Sequence, residues 1–161
     1  MSVTSVDKDL DTLTMTLTAD FDVPVERVWQ LWADPRLLER WWGPPTHPAT
    51  MERHDLSPGG EVTYFMTGPE GERYHGYWRV VSAEPPSSLA FIDGFADDEG
   101  TPNDDLPTTS VTMRLTEREG GTRMELRSLF DSREQMEQLL EMGMDEGLQQ
   151  AVAQMDALLD A

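Results

Sequence analysis

From about Ala49 to Leu129 the chain is a series of short runs in which apolar and polar residues alternate. Alternation at period two is what a half-buried strand requires, because successive side chains leave opposite faces of the backbone. The runs are cut by Pro58-Gly59-Gly60, Gly68-Pro69-Glu70-Gly71, Glu84-Pro85-Pro86 and Glu119-Gly120-Gly121, each able to reverse the chain. Short reversals between successive strands specify antiparallel pairing, so this stretch reads as a meander.

Parity then sorts the side chains. Val62, Tyr64 and Met66 share one face of the run from Glu61 to Thr67. In the next run Tyr74, Gly76, Trp78 and Val80 stand together, with Arg73, His75, Tyr77 and Arg79 opposite. Leu89, Phe91 and Asp93 share a face, as do Val111, Met113 and Leu115, and then Met124 and Leu126. The apolar sets are the inward ones. Asp93 is the polar exception: an inward carboxylate needs a partner, a raised pKa or water in a cavity, unless the strand slips by one residue before Gly94.

The flanks supply the helices. Thr12 to Ala19 alternates apolar residues with threonines as a strand, after which Val25, Val28, Trp29 and Trp32 recur at helical spacing. Asp34-Pro35 opens a second short helix through Leu37, Leu38 and Trp41, which Gly43-Pro44-Pro45 must end. Ser132 and Gln135 have the spacing of a reciprocal capping box at the start of a long helix. A helix from there to Leu159 spans about 40 Å, with Met136, Leu140, Met144, Leu148, Ala151, Met155 and Leu158 as its apolar stripe. Gly143 and Gly147 each cost about 1 kcal/mol in a helix interior, so a close approach, a kink or a ligand wall must compensate. The resulting pattern is α+β: a curved antiparallel sheet wrapped around a long C-terminal helix, with two short helices after the first strand. Residues 1–161 show no internal repeat and no linker, and one domain is expected.

Charge and composition narrow the partners. The 161 residues carry 31 acidic and 12 basic side chains, a formal charge of -19, which repels phosphate backbones and anionic membranes. Nucleic acid is therefore not expected as a partner. No apolar run reaches the roughly 20 residues that span a bilayer, and the first five residues lack the basic and apolar regions of a signal peptide, so no membrane insertion and a cytoplasmic location are expected. The absence of Cys removes disulfides, thiolate metal sites and a cysteine nucleophile. His47, His54 and His75 lack metal-ligand spacing, and the acidic run from Asp97 to Asp105 lacks the order of a calcium loop, so no metal and no cofactor is expected. Neither a nucleophile elbow nor a Gly-rich phosphate loop occurs.

An ordered series of short motifs carries a family likeness: Pro24-Val25-Glu26-Arg27-Val28-Trp29, Trp41-Trp42-Gly43-Pro44, Pro58-Gly59-Gly60, Gly68-Pro69-Glu70-Gly71, His75-Gly76, Pro85-Pro86-Ser87-Ser88-Leu89 and Gly143-Met144-Asp145-Glu146-Gly147. In this order they resemble the START-like superfamily, in the branch named after the C-terminal domain of the activator of the heat-shock-protein-90 ATPase. The likeness covers nearly the whole chain. It implies the helix-grip fold and a cavity between the sheet and the long helix. Relatives of that superfamily include lipid carriers, plant hormone receptors, polyketide aromatases and cyclases, and co-chaperone domains, so the fold by itself assigns no chemistry.

Three functions are carried forward. The first is binding of an apolar or amphipathic small molecule against Trp42, Tyr64, Met66, Tyr74, Trp78, Phe91, Met113, Met136, Leu140 and Met144, with Asp93 or a tyrosine hydroxyl orienting it. The second is an aromatase-like or cyclase-like enzyme in which converging polar groups move protons. The third is a co-chaperone-like interaction domain using Arg73, His75, Tyr77 and Arg79 on the outer face. A homodimer is left open.

Overall fold

The computed structural model describes residues 3–159. Eight strands form one antiparallel sheet in the order β1-β2-β8-β7-β6-β5-β4-β3. They are β1 (Val3–Asp9), β2 (Thr14–Phe21), β3 (Ala49–His54), β4 (Glu61–Thr67), β5 (Arg73–Glu84), β6 (Ser88–Phe95), β7 (Thr109–Arg118) and β8 (Gly121–Phe130). From β3 to β8 each strand pairs with its sequence neighbour, as a meander must. The one long-range closure is β2 on β8, where Leu17 faces Leu126 and Ala19 faces Met124.

One strand was not legible. Strand β1 contributes only Val3 and Val6 to the interior, three residues apart across a register shift between Val3 and Ser5, so no alternation marks it. It is an edge strand held by its backbone ladder to β2. The two short helices consequently come after the second strand, carrying the chain across to β3 at the far edge.

Those helices are α1 (Val25–Ala33) and α2 (Pro35–Leu38). The Asp34 carboxylate accepts from the Arg36 backbone N–H at 2.9 Å, capping α2 directly behind the last turn of α1. Helix α2 ends at Leu38, short of the expected Trp41. Trp41 and Trp42, beyond that end, are both buried: Trp41 donates its indole N–H to the Leu31 carbonyl at 2.8 Å, and Trp42 lies edge-on to Trp78 with ring centroids 4.8 Å apart. With Trp32, and with Trp78 stacked on Phe91 at 4.0 Å, they form the aromatic centre of the core.

The C-terminal helix is not continuous. It runs as α3 (Arg133–Glu141), α4 (Met144–Ala153) and α5 (Met155–Leu159). Gly143 adopts φ of 85°, the left-handed conformation that glycine takes at least cost, and so breaks the helix in the middle. In α3, ahead of the first break, Met136 and Leu139 are buried and the expected Leu140 is only half-buried; each break then resets the rotation of the next segment, where Ala151, Val152, Met155 and Leu159 are buried and Leu158 is not fully so. The capping box at α3 forms by half. Ser132 accepts from the Gln135 N–H at 3.1 Å, while the buried Gln135 side-chain oxygen has no partner. Gln154 fastens the helical segment to the tryptophan loop, donating to the carbonyls of Gly43 at 2.7 Å and Trp41 at 3.3 Å. Among the described residues no helix is long and apolar enough to cross a membrane.

Candidate functional site

Between the sheet and the broken helix lies a cavity of about 310 Å³. Gly143 and Gly147 lie in its wall, and a Cβ added at either would meet no atom within 4 Å. The helical side is completed by Leu139, Met142, Met144 and Leu148; Trp32, Trp42 and Pro44 close one end. From the sheet come Tyr64 and Met66 on β4, Tyr74, His75 and Gly76 on β5, and Asp93, Gly94 and Phe95 on β6. Thr109 and Val111 on β7, Leu126 and Ser128 on β8, and Pro107 fill the remainder. Two lining side chains, Tyr74 and Met142, are more than half exposed at 54% and 59%, and mark the mouth.

The polar centre is built across three strands. Tyr64 on β4 is paired with Gly76 on β5, and its hydroxyl donates to Oδ1 of Asp93 on β6 at 2.9 Å. A Cβ at position 76 would stand 2.5 Å from both Cζ and Oη of Tyr64, so the phenol reaches over β5 only because residue 76 has no side chain. Asp93 therefore keeps the inward parity, one residue before the strand's next glycine, and no slip occurs.

Electrostatics at this pair are unusual. Asp93 has part of its surface open to the cavity, but it is removed from bulk water. That burial, only partly offset by the Tyr64 hydrogen bond, pushes its carboxyl up to about 7. Tyr64 is raised well above the ordinary tyrosine value, first by burial and then by the nearby Asp93 charge. Trp42 approaches the Tyr64 hydroxyl closely enough to oppose that rise, yet its indole N–H does not reach hydrogen-bond geometry and, like those of Trp32 and Trp78, is buried without a partner. A carboxylic acid near pKa 7 in a concave, largely apolar site can orient a ligand, and it can also give or take a proton at neutral pH.

The expected site residues divide. Trp42, Tyr64, Met66, Tyr74, Asp93 and Met144 come together around the cavity. Trp78, Phe91, Met113 and Met136 do not: they are fully buried behind its wall, where flat rings and flexible thioethers fill the core. Leu140 does not line the cavity: it is partly buried against a satellite cluster of Met15, Phe130, Met136 and Leu139, of which Leu139 is the member that reaches the cavity wall. Thr109 and Ser128, buried hydroxyls in the wall, were missed, since a lone Thr or Ser at an inward strand position gives no signal in a sequence. On the outer face, Tyr77 is buried over Gly94 and the Arg73 guanidinium lies 4.3 Å over the Phe65 ring, so these side chains pack on their own sheet. The His75 ring is 5.6 Å from that of Phe65. In the acid-rich loop the Asp97 carboxylate accepts from the backbone N–H groups of Glu99 and Thr101, each at 2.9 Å. Among the described residues no group of three His, Asp or Glu could hold a metal ion.

A family model described as Activator of Hsp90 ATPase homolog 1-like protein matches residues 22–160. No curated protein matches the sequence. Among solved structures, protein Ms6760 from Mycobacterium smegmatis is 54% identical, with a TM-score of 0.90 over 98% of this chain and 96% of its own. A protein from Arthrobacter aurescens with a solution structure is 50% identical, with a TM-score of 0.95 over 99% of this chain and 92% of its own. DynU16, a protein in the dynemicin biosynthetic locus, is 18% identical with a TM-score of 0.65, and the match covers 92% of this chain and 48% of that one; it shares the helix-grip fold alone. With the family model spanning all but the first strands, and relatives of half-identical sequence superposing over almost the full length, this chain belongs to the Activator of Hsp90 ATPase homolog 1-like family of START-like proteins.

Proposed function

We propose that this protein binds an apolar or amphipathic small molecule between the sheet and the broken C-terminal helix, with Tyr64 and Asp93 orienting its one polar group. The observation that carries this reading is the pairing of a mostly apolar wall with one hydrogen-bonded acidic centre, Tyr64–Asp93, in a space of about 310 Å³. That volume is at the lower end of ligand pockets, so the occupant is small. Aromatic and methionine side chains in the wall supply contact area, and the Tyr64–Asp93 pair supplies direction.

Screening the purified protein against small aromatic and amphipathic compounds by thermal shift tests this. A ligand at 100 times its Kd adds about 2.7 kcal/mol, which for a domain of this size raises Tm by about 5–11 °C. Chemical-shift changes on binding should centre on Tyr64, Asp93 and Met144. Ligands that stabilise the protein while perturbing only the outer sheet face would refute the assignment.

One observation favours a second reading. An acid with a pKa of about 7 beside a tyrosine, both facing the cavity, is suited to general acid–base chemistry on a bound substrate. Turnover of a bound compound that disappears in Asp93→Asn, with binding retained, would select the enzyme over the carrier.

A further inference from the structure

The cavity wall is one-sided in charge. It contains one carboxylate, Asp93, and no lysine or arginine. A ligand carboxylate or phosphate entering it would lose its hydration and gain no counter-charge, while the whole protein, at -19, repels it on approach. A cation meets the reverse. Tyr64 occupies one oxygen of Asp93, and the other accepts nothing from the described residues. Trp42, edge-on to Tyr64 with ring centroids 6.0 Å apart, and Tyr74 at the mouth line the same cavity, and aromatic faces attract positive charge.

We infer that the preferred occupant is a protonated amine on a small aromatic or aliphatic body, its ammonium on the free oxygen of Asp93 and its apolar part against the methionine-rich helical wall. This rests on the binding function proposed above and narrows its ligand class. Tyr64 from β4 and Tyr77 from β5 lie within electrostatic reach of Asp93, and Tyr74 and His75 from β5 share its cavity wall; the helical wall, made of Leu139, Met142, Gly143, Met144, Gly147 and Leu148, adds no titratable group. Burial holds Asp93 partly protonated near neutral pH, so an arriving ammonium, by favouring the carboxylate, lowers the carboxyl pKa and displaces its proton. Affinity for the amine should therefore rise with pH through about 7 and level off above it, falling about tenfold per unit below.

Three probes of nearly equal size and shape test the assignment: naphthylmethylamine, naphthylmethanol and naphthoate, titrated calorimetrically at pH about 8 and about 6. The amine should bind at least about tenfold tighter than the alcohol at the higher pH, the naphthoate least, and the amine should release a proton on binding. Asp93→Asn, nearly isosteric, should cost the amine about tenfold or more and leave the alcohol unchanged. If the alcohol or the naphthoate equals the amine in the unmodified protein, the amine assignment is overturned while the binding function stands. If none of the three binds, the binding function fails and this inference with it.

Discussion

Replacing Gly76 with alanine should unseat Tyr64 and uncouple it from Asp93. The added Cβ would be 2.5 Å from Tyr64 Cζ and Oη, where ordinary contact begins near 3.4 Å, so the ring must retreat by about 1 Å. Tyr64 is 6% exposed and enclosed by Trp42, so it has little room to comply, and its 2.9 Å bond to Asp93 stretches past hydrogen-bonding range. Overpacking costs about 1–3 kcal/mol and the lost bond to an ionisable acceptor about 1.5–3 kcal/mol. The reduced freedom of the unfolded alanine chain returns about 0.4–1 kcal/mol, since Gly76 does not need a left-handed backbone. The net is about 3 kcal/mol, or a Tm lower by about 6–12 °C for a domain of this length. Urea denaturation followed by tryptophan fluorescence measures the first effect. Carboxyl NMR titration measures the second: without the Tyr64 bond that pulls it down, Asp93 should titrate above about 7. Tyr64→Phe should reproduce that titration shift without the steric cost. A Gly76→Ala protein with unchanged stability and an unchanged Asp93 titration would falsify the account of how the pair is positioned.

Two further expectations concern the same wall. Asp93 has a folded pKa raised from 3.8 to about 7, so between these values the folded protein holds a proton that the unfolded chain releases. Its contribution to stability therefore falls as pH rises through that window, reaching a penalty of roughly 4 kcal/mol above about 7. Asp93→Asn should remove this slope and be the more stable protein at pH about 8; parallel unfolding curves for the two proteins from pH about 4.5 to about 8 would contradict it. The two wall glycines should respond with opposite signs. Gly147→Ala, on an α4 position with nothing within 4 Å, should stabilise the empty protein by about 0.5–1 kcal/mol, whereas Gly143→Ala at φ of 85° should cost about 1–2 kcal/mol. Calorimetric melting that moves both in the same direction would show that the helix break is not what Gly143 provides.

Much of this protein is legible in its amino-acid sequence. Period-two runs and turn pairs dictated the meander from β3 to β8, because alternation and reversal are local consequences of backbone geometry. The same parity carried Tyr64 and Asp93 to one face, since a strand leaves its side chains no other choice. Local rules also gave the caps at Asp34 and Ser132.

Partnership between distant segments is absent from local rules. Strand β1 exists because β2 offers it a backbone ladder, and its own residues announce nothing. Phe91 and Met113 share the inward parity of Tyr64, yet they are sealed in the core, because depth along a curved sheet depends on which helix covers each strand. Gly143 signalled some interruption, but that it breaks the helix over a cavity is a consequence of packing, as is the burial of Leu139 rather than Leu140 in the segment before it. The 2.9 Å meeting of Tyr64 and Asp93 across the bare backbone of Gly76 brings together three strands. The residues at that meeting were set by the sequence; their contact, and the raised pKa that comes with it, was decided by the tertiary fold, since desolvation is a property of everything packed around a group and not of the group itself.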